Sequence, residues 1–133
     1  MAMLGHYYDP RVCRVVLMGS PCMGCRSASA LLRTPGLAAM AGRSLKEWLV
    51  LPRPILPENV EIGILSGSRS LGIGRIFPGL PRPNDGVVSV KETHLLEAKD
   101  LITLPVSHTE MLFSRACADQ VAAFLGNGSF VHE

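Results

Sequence analysis

The sequence predicts an α/β domain: a short parallel sheet of about three strands, with helices on its flanks in a three-layer arrangement. Three observations lead there. The chain has 133 residues, enough for one domain and not comfortably for two. Its strand-like runs are apolar and β-branched, as buried strands are. Those runs alternate with helical stretches in the order strand, helix, strand, loop, strand, helix, and such alternation implies parallel pairing through right-handed crossovers. Fully buried parallel strands need cover on both faces, and few helices are present to supply it.

Taken in order, "RVVLMGSP" (14–21) is a short β-branched run closed by Gly19, Ser20 and Pro21, hence a strand entering a loop. "SASALLRTPGLAAMAGRSLKEWLV" (27–50) is rich in Ala and Leu at three- and four-residue spacings, and reads as helix broken near Pro35 and Gly36. The proline-dense "LPRPILPENV" (51–60) is an extended connection. "EIGILSGS" (61–68) is the second strand. "RSLGIGRIFPGLPRPNDG" (69–86), dense in Gly and Pro, is a long loop. "VVSV" (87–90) fits either the start of a helix or a brief extended piece. "DLITLPVS" (100–107) is the third strand. "SRACADQVAAFLGNG" (114–128) is a terminal helix, with Ala118, Val121, Ala122 and Leu125 on its apolar stripe and Gly126-Asn127-Gly128 stopping it.

Apolar residues make up 47% of the chain and charged residues 18%, so it can bury a core and is not a disordered chain. The net charge is +2, and the lysines and arginines are scattered. Without a dense basic run, no nucleic-acid partner is expected. No apolar run approaches the roughly 18 residues of a spanning helix. "MAMLGHYYDPRVCR" carries an acid, a proline and two arginines where a signal peptide needs an apolar core, so the expected compartment is cytoplasmic. There is no internal repeat.

The four cysteines are Cys13, Cys22, Cys25 and Cys117. Cys22 and Cys25 form a C-x-x-C, which supplies two of the four ligands of a structural zinc, and no second pair completes it. A redox pair and a plain loop after a strand are the other readings. His6, His94 and His132 have no setting that suggests chemistry and are expected at the surface.

Three stretches together carry a family likeness. "RVVLMGSPCMGCRSA" (14–28) resembles the strand that follows the nucleophile helix of an α/β-hydrolase, with its "GSP-x-x-G" turn. "NDGVVSVKETHL" (84–95) resembles the acid turn, and "LPVSHTEMLFS" (104–114) the histidine loop. From about Arg11 to Phe130 the chain resembles the C-terminal half of an α/β-hydrolase of the esterase/lipase type. The resemblance implies a partial α/β-hydrolase fold as a single domain over residues 1–133, with 1–12 as the remnant of the nucleophile helix and its linker. It places Asp85 at the triad acid and His108 at the triad histidine. No metal or cofactor is implied. Taken alone, Asp85 in "PNDG" also fits ordinary turn chemistry, and His108 a loop histidine capping the next helix.

The chemistry suits the placement. A carboxylate holds one imidazole nitrogen so that the other can take a proton from serine. The two groups need neighbouring strand ends, because sites of open parallel sheets lie beyond the carboxyl ends of the strands. The fold orders its triad as serine, acid, histidine, with the serine in G-x-S-x-G on a sharp strand-to-helix turn. Here the strand at 14–21 already resembles the one after that turn, so the serine is expected upstream of Met1. Ser70 in "SRSLG" is the rival. It stands in the right order, but "LGIGRIFPGLPRP" cannot form the helix that must follow, and the 15 residues from Ser70 to Asp85 are too few for helix, strand and acid turn. Ser20 precedes proline and lacks the second glycine. No oxyanion loop is recognisable.

Two functions are therefore expected. The first is acyl ester hydrolysis by a serine esterase or lipase, of which this chain holds the acid–histidine half and is inactive alone. Its substrate would be an ester or lipid-like small molecule once an N-terminal half completes it. The alternative is a non-catalytic interaction module, in which the exposed edge of strand 14–21 pairs with a partner or a second copy as a homo-oligomer.

Overall fold

The computed structural model describes residues 9–22, 58–71 and 81–132. The helix expected over 27–50, most of the extended connection after it, Cys25, His6 and residues 1–8 lie outside the described residues. Among the described residues three strands form one sheet: β1 (Arg14–Met18), β2 (Glu61–Gly67) and β3 (Asp100–Leu104). Their order is β1-β2-β3, and both pairings are parallel, with Leu17 beside Ile64 and Ile64 beside Leu101. The central strand β2 is buried from Ile62 to Gly67, which is why its sequence is apolar on both alternations. Burial of Ile62, Ile64 and Leu65 contributes about 1.5–3 kcal/mol each.

Side-chain alternation gives the sheet two faces. On one, Leu65 lies in a cluster with Met111, Cys117, Phe124 and Phe130, edged by Val16, Met18, Ile102 and Leu104. The helix α2 (Arg115–Asn127) covers this face. Gly63 makes its close approach possible, since a methyl there would sit 2.8 Å from the Phe124 ring. On the other face the hydroxyls of Ser66 and Thr93 are hydrogen-bonded at 2.7 Å, which docks the short helix α1 (Val90–Thr93) on β2. The sheet is thus the middle of three layers. Among the described residues cover stops short of β3, whose outward Leu101 and Thr103 are exposed.

α2 begins at Ser114, whose Oγ accepts from the Cys117 N–H at 3.4 Å. It ends at Gly128, left-handed at φ 78°, with its N–H donated to the Phe124 carbonyl at 2.7 Å. The buried side of α2 differs from the expected stripe. Cys117 and Phe124 are buried and Val121 half-buried, while Ala118, Ala122 and Leu125 are exposed. Phe124 is the largest apolar group on the helix, and it rotates the helix toward the space over Gly63. Phe130 stacks on it at 5.0 Å between ring centres.

The third strand stops at Leu104 rather than reaching Ser107, because the chain turns tightly at Pro105, with the Val106 N–H on the Leu104 carbonyl at 2.8 Å. At the far end of the sheet, Glu61 pairs with Arg14 at 2.7 Å and with Lys99. Arg14 also donates to the Leu125 and Gly126 carbonyls at the end of α2. These bonds tie the start of all three strands to the end of the helix. The tail is fastened here too, with the Phe130 N–H on Asp100 Oδ2 at 2.7 Å and His132 Nε2 2.9 Å from Asp100 Oδ1. Among the described residues no helix is long and apolar enough to cross a membrane.

Candidate active site

The carboxyl ends of the three parallel strands lead into three short segments that meet. β1 runs into Gly19, β2 into the loop starting at Ser68, and β3 into the loop holding His108. The β2 and β3 extensions stay together, with the Ser68 N–H on the Leu104 carbonyl at 3.0 Å and the Arg69 N–H on Val106 at 3.1 Å. The residue at 67 must be small. A methyl on Gly67 would lie 2.4 Å from the Val106 carbonyl and 2.8 Å from the Asp85 Cβ.

Asp85 occupies a turn closed by the bridge between Asn84 and Ser89. It is 1% exposed. Its carboxylate is held from both sides. Oδ1 accepts the Val87 N–H at 2.9 Å and the Val88 N–H at 2.7 Å. Oδ2 stands 2.8 Å from His108 Nδ1. A second tie runs through the main chain, where the His108 N–H donates to the Asp85 carbonyl at 2.9 Å. The Asn84 side chain braces the turn by accepting from the Gly86 N–H at 3.0 Å and donating to Pro81 at 3.1 Å.

With an ionised Asp85, this contact places the imidazole proton on Nδ1 and leaves the Nε2 lone pair available. The His108 side chain is 40% exposed, whereas its partner is enclosed. The hydrogen bond to Asp85 raises the His108 pKa above the ordinary 6.5, against the opposing effect of partial burial. The arrangement can hold a proton at Nδ1 while accepting another at Nε2, which is the capacity of a general base.

Gly19 belongs to this site and was not singled out for it in the sequence. It has φ 52°, and a methyl there would lie 2.9 Å from His108 Nδ1 and 3.0 Å from Asp85 Oδ2. The end of β1 is therefore packed directly on the acid–histidine contact. Two further devices also escaped the sequence reading, although the S-x-x-E pattern signals both. Ser89 and Glu92 form a reciprocal capping box behind the acid turn. Ser107 and Glu110 form another around His108, with the Ser107 N–H on Glu110 Oε2 at 2.7 Å and the Glu110 N–H on Ser107 Oγ at 3.4 Å.

Ser70 forms no hydrogen bond with His108, and among the described residues no residue other than glycine has the positive φ of a strained nucleophile turn. Cys22 lies beyond β1 and is half-buried, and Cys117 is a core residue of α2. Among the described residues no group of three His, Cys, Asp or Glu side chains could hold a metal. His94 and His132 are exposed.

No protein-family model matches this sequence, and no curated protein matches it. A solved structure does: the lipase BlEst2 of Bacillus licheniformis in its mature form, with a TM-score of 0.59 and 19% sequence identity. The match covers 92% of this chain and 55% of that one. The chain thus spans about half the length of the lipase it matches. At this identity the likeness concerns the fold, an α/β sheet of the lipase-like hydrolase kind.

Proposed function

We propose that this chain carries the acid–histidine half of a serine esterase or lipase. In this reading His108 is the general base that takes the serine proton and then returns it to the leaving alcohol. Asp85 orients the ring and balances the imidazolium charge. The observation that carries the reading is the 2.8 Å contact between His108 Nδ1 and an Asp85 carboxylate that is 1% exposed, at the carboxyl ends of adjacent parallel strands. The lipase-like fold is consistent with it. The nucleophile and the oxyanion donors come from polypeptide outside this chain, so the chain alone is inactive. The substrate class is a small ester or lipid-like molecule.

Two measurements on the purified chain test this. Fluorophosphonate labelling, read by intact mass, is expected to leave the chain unmodified. A label that Ser70→Ala abolishes would show that the nucleophile is internal after all. In parallel, the His108 imidazole should titrate above 6.5 in the wild type and fall in Asp85→Asn. An unchanged titration would remove the acid–histidine pair itself.

A second reading, an interaction module that self-associates through a strand edge, draws on one observation: β1 is an outer strand of the described sheet. A monomeric mass by light scattering with cooperative unfolding would exclude it.

A further inference from the structure

Five residues hold the loop around His108, and only one of them is Asp85. Met111 anchors it from below, being 4% exposed and packed in the core cluster. Ser107 and Glu110 close it from either side of the histidine. The remaining carboxylate oxygen of Glu110, Oε1, accepts from Arg69 Nη1 at 2.9 Å. Arg69 is itself fixed by its main chain, which donates to Val106 two residues before the histidine. Glu110 therefore links the loop that carries the base to the strand extension of β2.

We propose that Glu110 is a positioning residue for His108, fixing the start of the histidine loop through the Ser107 N–H and locking it to β2 through Arg69, so that Nδ1 stays on Asp85. The inference rests on the reading of Asp85 and His108 as an acid–histidine pair. The Ser107 N–H immediately precedes His108, and a 2.7 Å bond from it to a carboxylate is charge-assisted and directional. Glu110 does not face the imidazole. Among the described residues the groups that do are Asp85 from the acid turn and the Gly19 backbone at the end of β1. The Ser107 amide, the Ser107 hydroxyl and Arg69 together hold Glu110 below the usual carboxylate range, so it is charged throughout the range in which His108 titrates.

The test follows the His108 titration by NMR in the full chain carrying nitrogen-15 histidine, with its signal assigned by loss in His108→Gln. Glu110→Ala is expected to lower the His108 pKa toward 6.5, because the ring loses its fixed approach to Asp85. Glu110→Gln keeps an acceptor for the Ser107 N–H and is expected to restore most of the elevation. Arg69→Met, which leaves the box intact, is expected to lower it less than Glu110→Ala. Equal falls in the Ala and Gln variants would overturn the proposal in favour of a simple charge effect. Unchanged titration in a folded Glu110→Ala would overturn it as well. Should that variant fail to fold, Glu110→Asp keeps the charge while drawing the carboxylate back from the Ser107 N–H and from Arg69. A fall in its His108 pKa supports positioning, and no change refutes it. A wild-type His108 that already titrates at the ordinary value defeats the acid–histidine reading, whereas an elevated wild type with unaffected variants defeats the positioning role alone.

Discussion

Replacing Gly19 with alanine should damage the acid–histidine contact from the outside. Gly19 has φ 52°, and a left-handed backbone costs a residue with a Cβ about 1–2 kcal/mol. The new methyl would also meet His108 Nδ1 at 2.9 Å, Asp85 Oδ2 at 3.0 Å and His108 Cε1 at 3.1 Å. Ordinary contact begins near 3.4 Å, so ring and carboxylate must retreat by several tenths of an ångström. Asp85 is held rigidly by two amides, so the exposed ring is the part that moves. The expected loss of stability is about 1–3 kcal/mol, the upper end including a weakened charge-assisted bond. Urea unfolding followed by circular dichroism measures the loss, and the His108 titration reports the contact. Gly126→Ala is the matched control. Nothing lies within 4 Å of its added methyl, and the helix gains about 0.5–1 kcal/mol from alanine. If Gly19→Ala is within about 0.5 kcal/mol of the wild type and leaves the His108 pKa in place, the reasoning about this corner of the molecule is wrong.

Other consequences follow from the packing and from the direction of the His108 shift. Phe124→Ala should destabilise by about 3–5 kcal/mol, since the ring is fully buried between Gly63 and Phe130. Gly63→Ala should cost about 1–3 kcal/mol by driving a methyl into that ring, and Phe124→Leu should relieve part of the loss, a coupling that a double-mutant denaturation cycle reads directly. The pKa of His108 is raised in the folded state. Its pairing therefore stabilises fully below the unfolded histidine value of 6.5 and fades as pH rises through the folded value. The stability advantage of the wild type over His108→Gln should accordingly be largest at mildly acidic pH and shrink above neutrality. A difference that is flat with pH would contradict the pairing.

Much of the fold was legible because it depends on local pattern. β1, β2 and α2 lie where β-branched runs and a glycine stop predict them, since buried parallel strands and capped helices are written in contiguous residues. Asp85 and His108 were legible as candidates because each sits in a short contiguous stretch that resembles a family motif, "NDG" at the end of a long loop and "LPVSH" directly after the third strand. The rest depends on contacts between distant residues. The orientation of α2 is set by Phe124 finding the gap over Gly63, which is 61 positions away and carries no side chain to read. Gly19 reads as a strand stop, and only the folded chain brings it onto residues 85 and 108. The two Ser–Glu boxes are written in the sequence as S-x-x-E, but they start single helical turns rather than the long helices where such caps are usually sought.

The fastening of the tail has a practical consequence for how this molecule can be handled. Asp100 starts β3 and grips Phe130 and His132, while His108 lies beyond the other end of the same strand. The four steps from Asp100 to Leu104 alone separate them by about 13 Å. A bead, surface or fused reporter attached behind His132 would therefore pull on the end of the sheet remote from the imidazole. The acid–histidine contact would then lie at the end of the strand away from the attachment.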